Sequence, residues 1–222
     1  MNPAPSVFYG RGFFIEMGHF YMKFIVFEGL DGSGKSTQVR LLARGLEAAG
    51  VPYITTRQPS DSAVGRVMRA ATDAQLPLEN ETMALLVAAD RYQHVFDVIH
   101  PALETGKTVV CDRYYYSSFA FQGIDDGAFG RVAAYNEWVM ANAQPDVVFF
   151  LETTPEECMR RIAANRNYGG LYDNTALLTE IHRRYQKIFD TLKDRERFVF
   201  LNGSQEEAAI ATQVRAYLGL RE

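Results

Sequence analysis

The feature that most constrains this chain is a glycine-rich segment that follows a short apolar stretch. Residues 24–27 are apolar and strand-forming, and Gly29 to Ser36 fit the pattern G-x-x-x-x-G-K-[ST] completely. Glycines in such a loop allow backbone angles and close approaches that a Cβ would forbid. The pattern therefore predicts a strand, a phosphate-binding loop and a helix that begins near Lys35.

The predicted loop carries several groups that suit nucleotide phosphates. Its N–H groups and the positive end of the following helix can surround a phosphate. Lys35 supplies a charge for the β- and γ-phosphates, and the Ser36 hydroxyl can ligate Mg²⁺. A chance match in a glycine-rich turn is the alternative, and the strand–loop–helix context argues against it. We therefore expect ATP as the phosphoryl donor together with Mg²⁺. The candidate ATP-binding residues are Gly29, Leu30, Asp31, Gly32, Ser33, Gly34, Lys35, Ser36 and Thr37.

Length, charge and cysteine content limit the class of protein. A chain of 222 residues is long enough for one well-buried domain. The net charge of −4 argues against a nucleic-acid-binding surface, and no apolar run approaches the ~20 residues that span a bilayer. Cys111 and Cys158 fit a reducing cytoplasm better than a disulfide framework. We expect a cytoplasmic protein without nucleic-acid or membrane partners.

Apolar strands alternate with helical patterns along the chain. Strands are predicted from residue 24 and at 51–56, 108–111, 147–151 and 198–201. Helices are predicted at 38–49, 62–72, 79–104 and 131–143, from residue 155, and at 175–193 and 205–218. This alternation predicts an α/β fold with a five-stranded parallel sheet covered by helices on both faces.

The composition of residues 1–22 differs from that of the rest of the chain. We expect a single domain at 23–222, preceded by a disordered extension at 1–22. The alternative for the extension is an extra surface element that packs through Phe13, Phe14 and Phe20. The polar, glycine-containing segment at 165–174 is a candidate lid.

Charged residues follow several of the predicted strands. Asp112 directly follows an apolar strand, which is the position of a Walker-B-type carboxylate that holds Mg²⁺. A helix cap is the alternative role for this residue. Arg57 and Arg113 are also predicted at strand ends, where guanidinium groups can bind phosphate bidentately. Surface ion pairs are the alternative for these arginines. Such a clamp would serve a second phosphate-bearing substrate, which is already anionic and needs no catalytic base.

The candidate lid and the helix before it also contain arginines. Arg166 lies in the lid, and Arg160 and Arg161 come just before it. One of these side chains could contact the transferring phosphoryl group, while lid closure would exclude water. A solvated helix end is the alternative for Arg160 and for Arg166.

Several motifs in this order resemble the thymidylate kinase family, the P-loop enzymes that phosphorylate dTMP to dTDP. The motifs are residues 27–37 for the P-loop, 56–59 for an Arg-x-Pro motif, 89–92 for a base-contacting segment, 112–114 for an Asp-Arg-Tyr signature, 117–123 for a nucleotide-pocket stretch, and 172–174 for the end of the lid. The resemblance extends from about Phe24 to the C-terminus, and it implies a P-loop kinase fold, ATP and dTMP as substrates, and a homodimer.

The resemblance also implies roles for individual residues. Arg57 and Arg113 would hold the dTMP phosphate, and Arg91 and Gln122 would contact the base and position the nucleoside. Because the P-loop of this chain contains no arginine, the family pattern implies that the lid supplies one, for which Arg166 is our choice. The implied catalytic residues are Lys35, Arg57, Arg113, Arg166 and Asp31. The implied dTMP-binding residues are Asp31, Arg57, Val87, Arg91, Arg113, Ser117, Phe121, Gln122 and Tyr172. The implied Mg²⁺ ligands are Ser36 and Asp112.

Two residues depart from the family pattern. Val87 stands where the family has a phenylalanine that stacks on thymine, and Phe121 stands where a tyrosine is often found near the sugar. An aromatic ring can add about 0.5–1.5 kcal/mol beyond burial, which valine cannot supply. A kinase of another nucleoside monophosphate, such as dUMP, therefore remains an alternative, as does a non-catalytic nucleotide-binding regulator.

Overall fold

The computed structural model describes residues 22–72, 76–164 and 174–220. Within these ranges, five strands form one parallel sheet in the order β2-β3-β1-β4-β5. The strands are β1 (Phe24–Glu28), β2 (Tyr53–Arg57), β3 (Thr108–Asp112), β4 (Val147–Glu152) and β5 (Phe198–Asn202). The predicted five-stranded parallel sheet is therefore confirmed.

The helices follow the predicted alternation closely. They are α1 (Lys35–Ala48), α2 (Ala63–Thr72), α3 (Asn80–His94), α4 (His100–Glu104), α5 (Tyr115–Gln122), α6 (Asp126–Asn142), α7 (Pro155–Ala164), α8 (Thr175–Leu192) and α9 (Glu207–Leu218). Each strand is thus separated from the next by at least one helix, as parallel connections require.

The region predicted as one helix at 79–104 is interrupted. A π-helical turn at Val95–Ile99 separates α3 from α4. The turn comes directly before His100 and Pro101. Pro101 has no N–H for the carbonyl of Asp97, and its ring would clash with that carbonyl in a regular α-helix. The wider turn accommodates the proline without ending the helical path.

Side chains alternate between two apolar layers, one on each face of the sheet. Val26 and Cys111 face the layer formed with helices such as α5, α6 and α8. Phe27 and Phe149 face the layer formed with α1 and α9, and their rings stack with centroids 5.3 Å apart. Burial on both faces explains why the central strands are almost continuously apolar.

The carboxyl ends of the parallel strands lie along one edge of the sheet, where the P-loop, Asp112 and Arg57 emerge.

The predicted extension at 1–22 lies, apart from Met22, outside the described residues, as does the predicted lid apart from Asn174. Asn174 caps α8, because its Oδ1 accepts from the N–H groups of Ala176 and Leu177. In the described ranges, no helix has the length and apolarity needed to cross a bilayer.

Candidate active site

The loop between β1 and α1 has a backbone that only glycine accommodates easily. Gly29 and Gly32 have φ values of 145° and 78°. A Cβ on Gly32 would lie 2.7 Å from the carbonyl oxygen of Cys158 in α7, and one on Gly29 would lie 2.8 Å from Ser33 Oγ. The glycines therefore allow the loop both its left-handed turns and its tight packing. The loop continues through Gly34, which precedes α1.

Lys35 opens α1 and lies beneath this loop. Its Nζ donates to the carbonyl oxygen of Leu30 at 2.6 Å. Burial lowers the pKa of Lys35 from the usual lysine value, and Arg113 lowers it further, although Asp31 and Asp112 oppose the shift. A buried ammonium group at the start of a helix is well placed to bind an anion, which would also restore its preference for the charged form.

Ser36 and Asp112 meet at the sheet edge. Ser36 Oγ donates to Asp112 Oδ2 at 2.5 Å, although the residues are far apart in the chain. A hydroxyl and a carboxylate are hard oxygen donors of the kind that Mg²⁺ takes, and Mg²⁺ commonly uses one or two protein groups together with substrate phosphates and water. The pair therefore fits a Mg²⁺ ion beside the phosphate-binding loop.

Arg113, which follows β3, has the left-handed backbone conformation that non-glycine residues rarely adopt, with φ of 69°. Its N–H donates to the carbonyl oxygen of Phe27 at 2.9 Å. One terminal nitrogen, Nη2, donates to Asp31 at 2.6 Å, and the other, Nη1, donates to Ser117 at 2.9 Å. The guanidinium also lies over the ring of Phe121. Arg113 is therefore held in place by both its backbone and its side chain.

A buried carboxylate at the end of β1 lies behind this arginine. Glu28 is fully buried, and its oxygens accept from the N–H groups of Tyr114 and Ser117 and from the Ser117 hydroxyl. Glu28 Oε2 also accepts from the Tyr185 hydroxyl at 2.8 Å and lies 3.8 Å from Arg113 Nη1. Several donors and a cation therefore surround this buried side chain and satisfy its oxygens.

Asp31 keeps its negative charge in this setting. Burial alone would raise the pKa of Asp31, but the neighbouring Arg113 and Lys35 lower it below the usual aspartate value. The loop thus presents a carboxylate beside two cations, a pattern that can bind both a phosphate and a sugar hydroxyl.

A cavity lies between α2, α3 and α5, with the P-loop at one end. Its lining residues are Asp31, Gln58, Pro59, Met68, Thr72, Val87, Asp90, Arg91, Arg113, Ser117, Phe121 and Gln122. Seven of the residues that the family resemblance assigned to dTMP therefore line one cavity: Asp31, Val87, Arg91, Arg113, Ser117, Phe121 and Gln122.

Arg91 forms the inner wall of this cavity and is almost completely buried. Its Nε donates to Gln58, its Nη1 donates to Ser118 and Asn136, and its Nη2 donates to the carbonyl oxygen of Tyr114. In the described part of the chain, these bonds leave one of the five guanidinium N–H groups without a protein acceptor. Burial lowers the pKa of Arg91 to about 10, so the side chain remains charged at neutral pH.

Gln58 connects Arg91 to the end of β2. A guanidinium can only donate, so Gln58 Oε1 must accept from Arg91 Nε, at 2.7 Å. The amide nitrogen then faces His94 Nδ1 at 3.1 Å, and His94 Nε2–H donates to Thr56 Oγ1 at 2.6 Å. Burial lowers the pKa of His94 to about 4, so the ring is neutral at pH 7 and can accept from Gln58.

Arg57 is not brought into the cavity. The side chain is 61% exposed, and its Nη2 pairs with Asp61 Oδ1 at 3.1 Å. Arg57 nevertheless ends β2, the strand adjacent to the one that ends in Asp112. The residue therefore lies at the mouth of the site, with its side chain paired to Asp61 and not lining the cavity.

The two arginines before the lid differ in their contacts. Arg160 is exposed and pairs with Glu157. Arg161 also pairs with Glu157, but its Nη2 donates to the carbonyl oxygen of Gly203 at 2.9 Å, and its Nη1 lies 3.4 Å from the carbonyl oxygen of Ser33. Arg161 thus ties α7 to the P-loop and to the loop after β5, whereas Arg166 and Tyr172 lie outside the described residues.

The sequence reasoning missed three residues that support the site: Glu28, Gln58 and Tyr185. Glu28 lay within the P-loop motif at 27–37 but was given no role. Gln58 lay within a quoted motif but was given no role. Tyr185 had no local signal, because its partners come from distant parts of the chain.

The family model and three relatives that match this chain carry the same family name. A family model described as thymidylate kinase matches residues 27–214. The thymidylate kinase of Cutibacterium acnes is 37% identical over 200 residues, which cover 86% of this chain and 94% of that protein. The thymidylate kinase of Halothermothrix orenii is 35% identical over 196 residues, covering 86% and 93%. The probable thymidylate kinase of Pyrococcus abyssi is 37% identical over 194 residues, covering 83% and 90%.

Proposed function

The chain belongs to the thymidylate kinase family, and from this premise we propose that it transfers the γ-phosphoryl group of ATP to dTMP, giving dTDP. It is a nucleoside monophosphate kinase, and hence a phosphotransferase. The observation that carries the proposal is a cavity beside the P-loop that contains both Arg91 and Arg113. A loop for one nucleotide and a cation-lined cavity for another are the two parts that such a transfer needs.

On the donor side, the backbone of Gly29–Thr37 binds the ATP phosphates, and Lys35 adds its charge to the β- and γ-phosphates. The 2.5 Å contact between Ser36 and Asp112 supports their role as Mg²⁺ ligands. A bound Mg²⁺ ion supplies positive charge to the phosphate oxygens. Arg161 keeps the P-loop in place through its contacts with backbone carbonyls.

On the acceptor side, Arg113 binds the dTMP phosphate from within the cavity, and Arg57 rotates from Asp61 to bind it from the mouth. Asp31 lies next to Arg113 and contacts the sugar and the acceptor phosphate. No general base is required, because the attacking phosphate oxygen is already anionic. Positioning and charge stabilisation by these side chains therefore account for the transfer step.

The base occupies the inner part of the cavity. The remaining N–H of Arg91 binds a base carbonyl, and Gln122 positions the nucleoside. Val87 and Phe121 form apolar contacts, and Ser117 lies near Arg113. The proposed lid contributes Arg166 to the transferring phosphoryl group and Tyr172 to the nucleotide.

The alternatives are less well supported. A regulator that binds nucleotide without transfer has no need for the combination of Lys35, Asp112 and Arg113, and the named relatives are kinases. A kinase for dUMP or another monophosphate keeps the same fold and mechanism, and Val87 is the residue that bears most directly on that choice.

We further propose a cytoplasmic homodimer that binds neither nucleic acid nor membrane. An exposed cluster of aromatic rings on α3, the π-helical turn and α6 supports the dimer. In this aromatic cluster, Phe96 and Trp138 stack with centroids 5.2 Å apart, and Tyr92 contacts both rings. Tyr92 and Phe96 are 44% and 46% exposed, so contact with a second copy would bury substantial apolar area.

The proposed activity is tested by the release of ADP from ATP·Mg²⁺ with and without dTMP. Release that depends on dTMP supports a kinase. Nucleotide binding without acceptor-dependent release would instead support the regulator.

A further inference from the structure

Tyr185, in α8, lies in the core behind the proposed acceptor site. It is fully buried, and its ring packs against Phe150 with centroids 5.0 Å apart. Its hydroxyl lies 2.8 Å from Glu28 Oε2, 3.2 Å from Ser117 Oγ and 3.3 Å from Arg113 Nη1. Tyr185 does not line the cavity that contains Arg113. Any effect on a ligand must therefore pass through these neighbours.

We propose that Tyr185 is a positioning residue for the acceptor phosphate, because its hydroxyl separates Arg113 from Glu28 and so holds the guanidinium toward the cavity. The inference rests on the proposed function, in which Arg113 binds the phosphate of dTMP.

The spacing between the two charges supports this role. Arg113 Nη1 and Glu28 Oε2 are 3.8 Å apart, which is too long for a direct hydrogen bond. The hydroxyls of Ser117 and Tyr185 fill the gap, since each accepts from Nη1 and lies within donating distance of Glu28. With Nη1 bound on the core side, Nη2 is directed to Asp31 at the cavity wall.

The phenol is suited to this bridging role because it keeps its proton. Burial raises the pKa of Tyr185, and the neighbouring Glu28 raises it further, although Arg113 opposes the shift. A protonated hydroxyl can donate to Glu28 while it accepts from Arg113. Without that hydroxyl, the buried Glu28 carboxylate loses a donor and attracts the guanidinium directly, which draws Arg113 away from the cavity.

The test is the variant Tyr185→Phe, which keeps the ring and removes the hydroxyl. Binding of dTMP and of thymidine, which lacks the phosphate, is measured by calorimetry, and the KM values for dTMP and ATP are measured in the steady state. We expect dTMP affinity to fall about tenfold, the equivalent of ~1.4 kcal/mol for one hydrogen bond to a charged group. Thymidine affinity and the KM for ATP should stay within about twofold of wild type, since neither involves the contact to Arg113.

Tyr115→Phe is the matched control. Tyr115 is also fully buried, and its hydroxyl donates to a buried carboxylate, Glu196, at 2.8 Å. Both variants therefore lose the same kind of hydrogen bond, but only Tyr185 contacts Arg113. The control should lose stability and retain the wild-type ratio of dTMP to thymidine affinity.

An unchanged ratio in Tyr185→Phe, or equal weakening of dTMP and thymidine, would overturn the inference while leaving the proposed function intact. If wild-type protein binds no dTMP, the proposed function fails, and the inference fails with it. If Tyr185→Phe does not fold, Glu28→Gln provides the converse test, because a neutral amide removes the charge that would draw Arg113 away from the cavity. The ratio of dTMP to thymidine affinity should then stay within about twofold of wild type, and a phosphate-specific loss in this variant would count against the inference.

Discussion

Ser36 Oγ lies 2.5 Å from Asp112 Oδ2, so a hydroxyl in the first turn of α1 and the carboxylate that ends β3 point to the same place. Parallel strands bring their carboxyl ends to one edge of the sheet, and the P-loop emerges from that edge. This contact links the phosphate-binding loop to the proposed metal ligand across 76 residues of sequence.

Asp112→Asn should weaken the response to Mg²⁺. The substitution keeps the shape of the side chain and removes the charge that favours a divalent cation, so kcat should fall at least about tenfold. A titration of the rate with Mg²⁺ measures the effect, and fluorescence-detected ATP binding with and without Mg²⁺ provides a second measurement. Asp190→Asn, at an exposed aspartate in α8, is the control. Equal Mg²⁺ dependence in the wild type and Asp112→Asn would remove Asp112 from the metal site.

Arg57→Ala should reduce kcat/KM for dTMP even though Arg57 faces Asp61 in this structure. Removing one charged clamp should cost at least ~2 kcal/mol of transition-state stabilisation. Steady-state kinetics with varied dTMP measure the loss. Arg66→Ala removes an exposed arginine that contacts the same loop through the carbonyl oxygen of Asp61, and it should be close to neutral. If both variants behave alike, Arg57 has no special role.

Val87→Phe should lower the KM for dTMP. Val87 lines the cavity and is half-buried, so a phenyl ring at this position can contact the base. Stacking would add about 0.5–1.5 kcal/mol, which corresponds to a decrease of about twofold to tenfold. Leu85→Phe, at an exposed position of the same helix, is the control. A rise in KM would mean that another side chain already fills the space.

The sequence predicted the parts of the site that follow from local patterns. The P-loop, the strand before Asp112 and the alternation of strands and helices each depend on neighbouring residues, and parallel pairing then brings the strand ends together. The π-helical turn was missed because a helical period alone does not reveal how a helix adjusts to Pro101. The roles of individual residues came from the family resemblance, because these local patterns alone do not assign them.

The support behind the site could not be predicted in this way. Glu28 and Tyr185 are 157 residues apart, and their contact depends on how α8 packs on the sheet. The orientation of Gln58 follows only from the donors and acceptors around it, Arg91 and His94. Such long-range contacts require the packed core, which no single segment encodes.

Glu196 should make stability depend on pH. The side chain is buried, and its carboxylate accepts from the hydroxyls of Tyr115 and Tyr116. Burial raises the pKa of Glu196 from 4.5 to about 7, although these hydroxyls and Arg195 oppose the shift. The folded protein therefore binds the Glu196 proton more tightly than the unfolded chain does. The stabilisation that protonated Glu196 contributes is full below pH 4.5 and is lost as the pH rises to about 7.

Glu196→Gln removes this titration. The difference in unfolding free energy between the variant and the wild type should shift in favour of the variant by about 3 kcal/mol between pH 4.5 and pH 8. Urea denaturation at a series of pH values measures the difference, and subtracting the wild type cancels the other titrating groups. A difference that does not change with pH would refute the assignment.

Phe96→Glu should dissociate the proposed homodimer. A charge placed in the exposed aromatic cluster would have to be buried without a partner in an apolar contact. Light scattering coupled to size-exclusion chromatography measures the mass. Ile124→Glu alters an exposed apolar residue outside the cluster and should leave the mass unchanged. A wild-type monomer, or a dimer that tolerates Phe96→Glu, would contradict the proposed interface.

The most direct test of the account is steady-state phosphoryl transfer from ATP·Mg²⁺ to a panel of dTMP, dUMP, dCMP, dGMP, AMP and UMP. We expect the highest kcat/KM for dTMP, because the proposed roles put the acceptor phosphate at Arg113 and the base at Arg91, which both line the cavity. A higher kcat/KM for another acceptor, or no transfer to any of them, would contradict it.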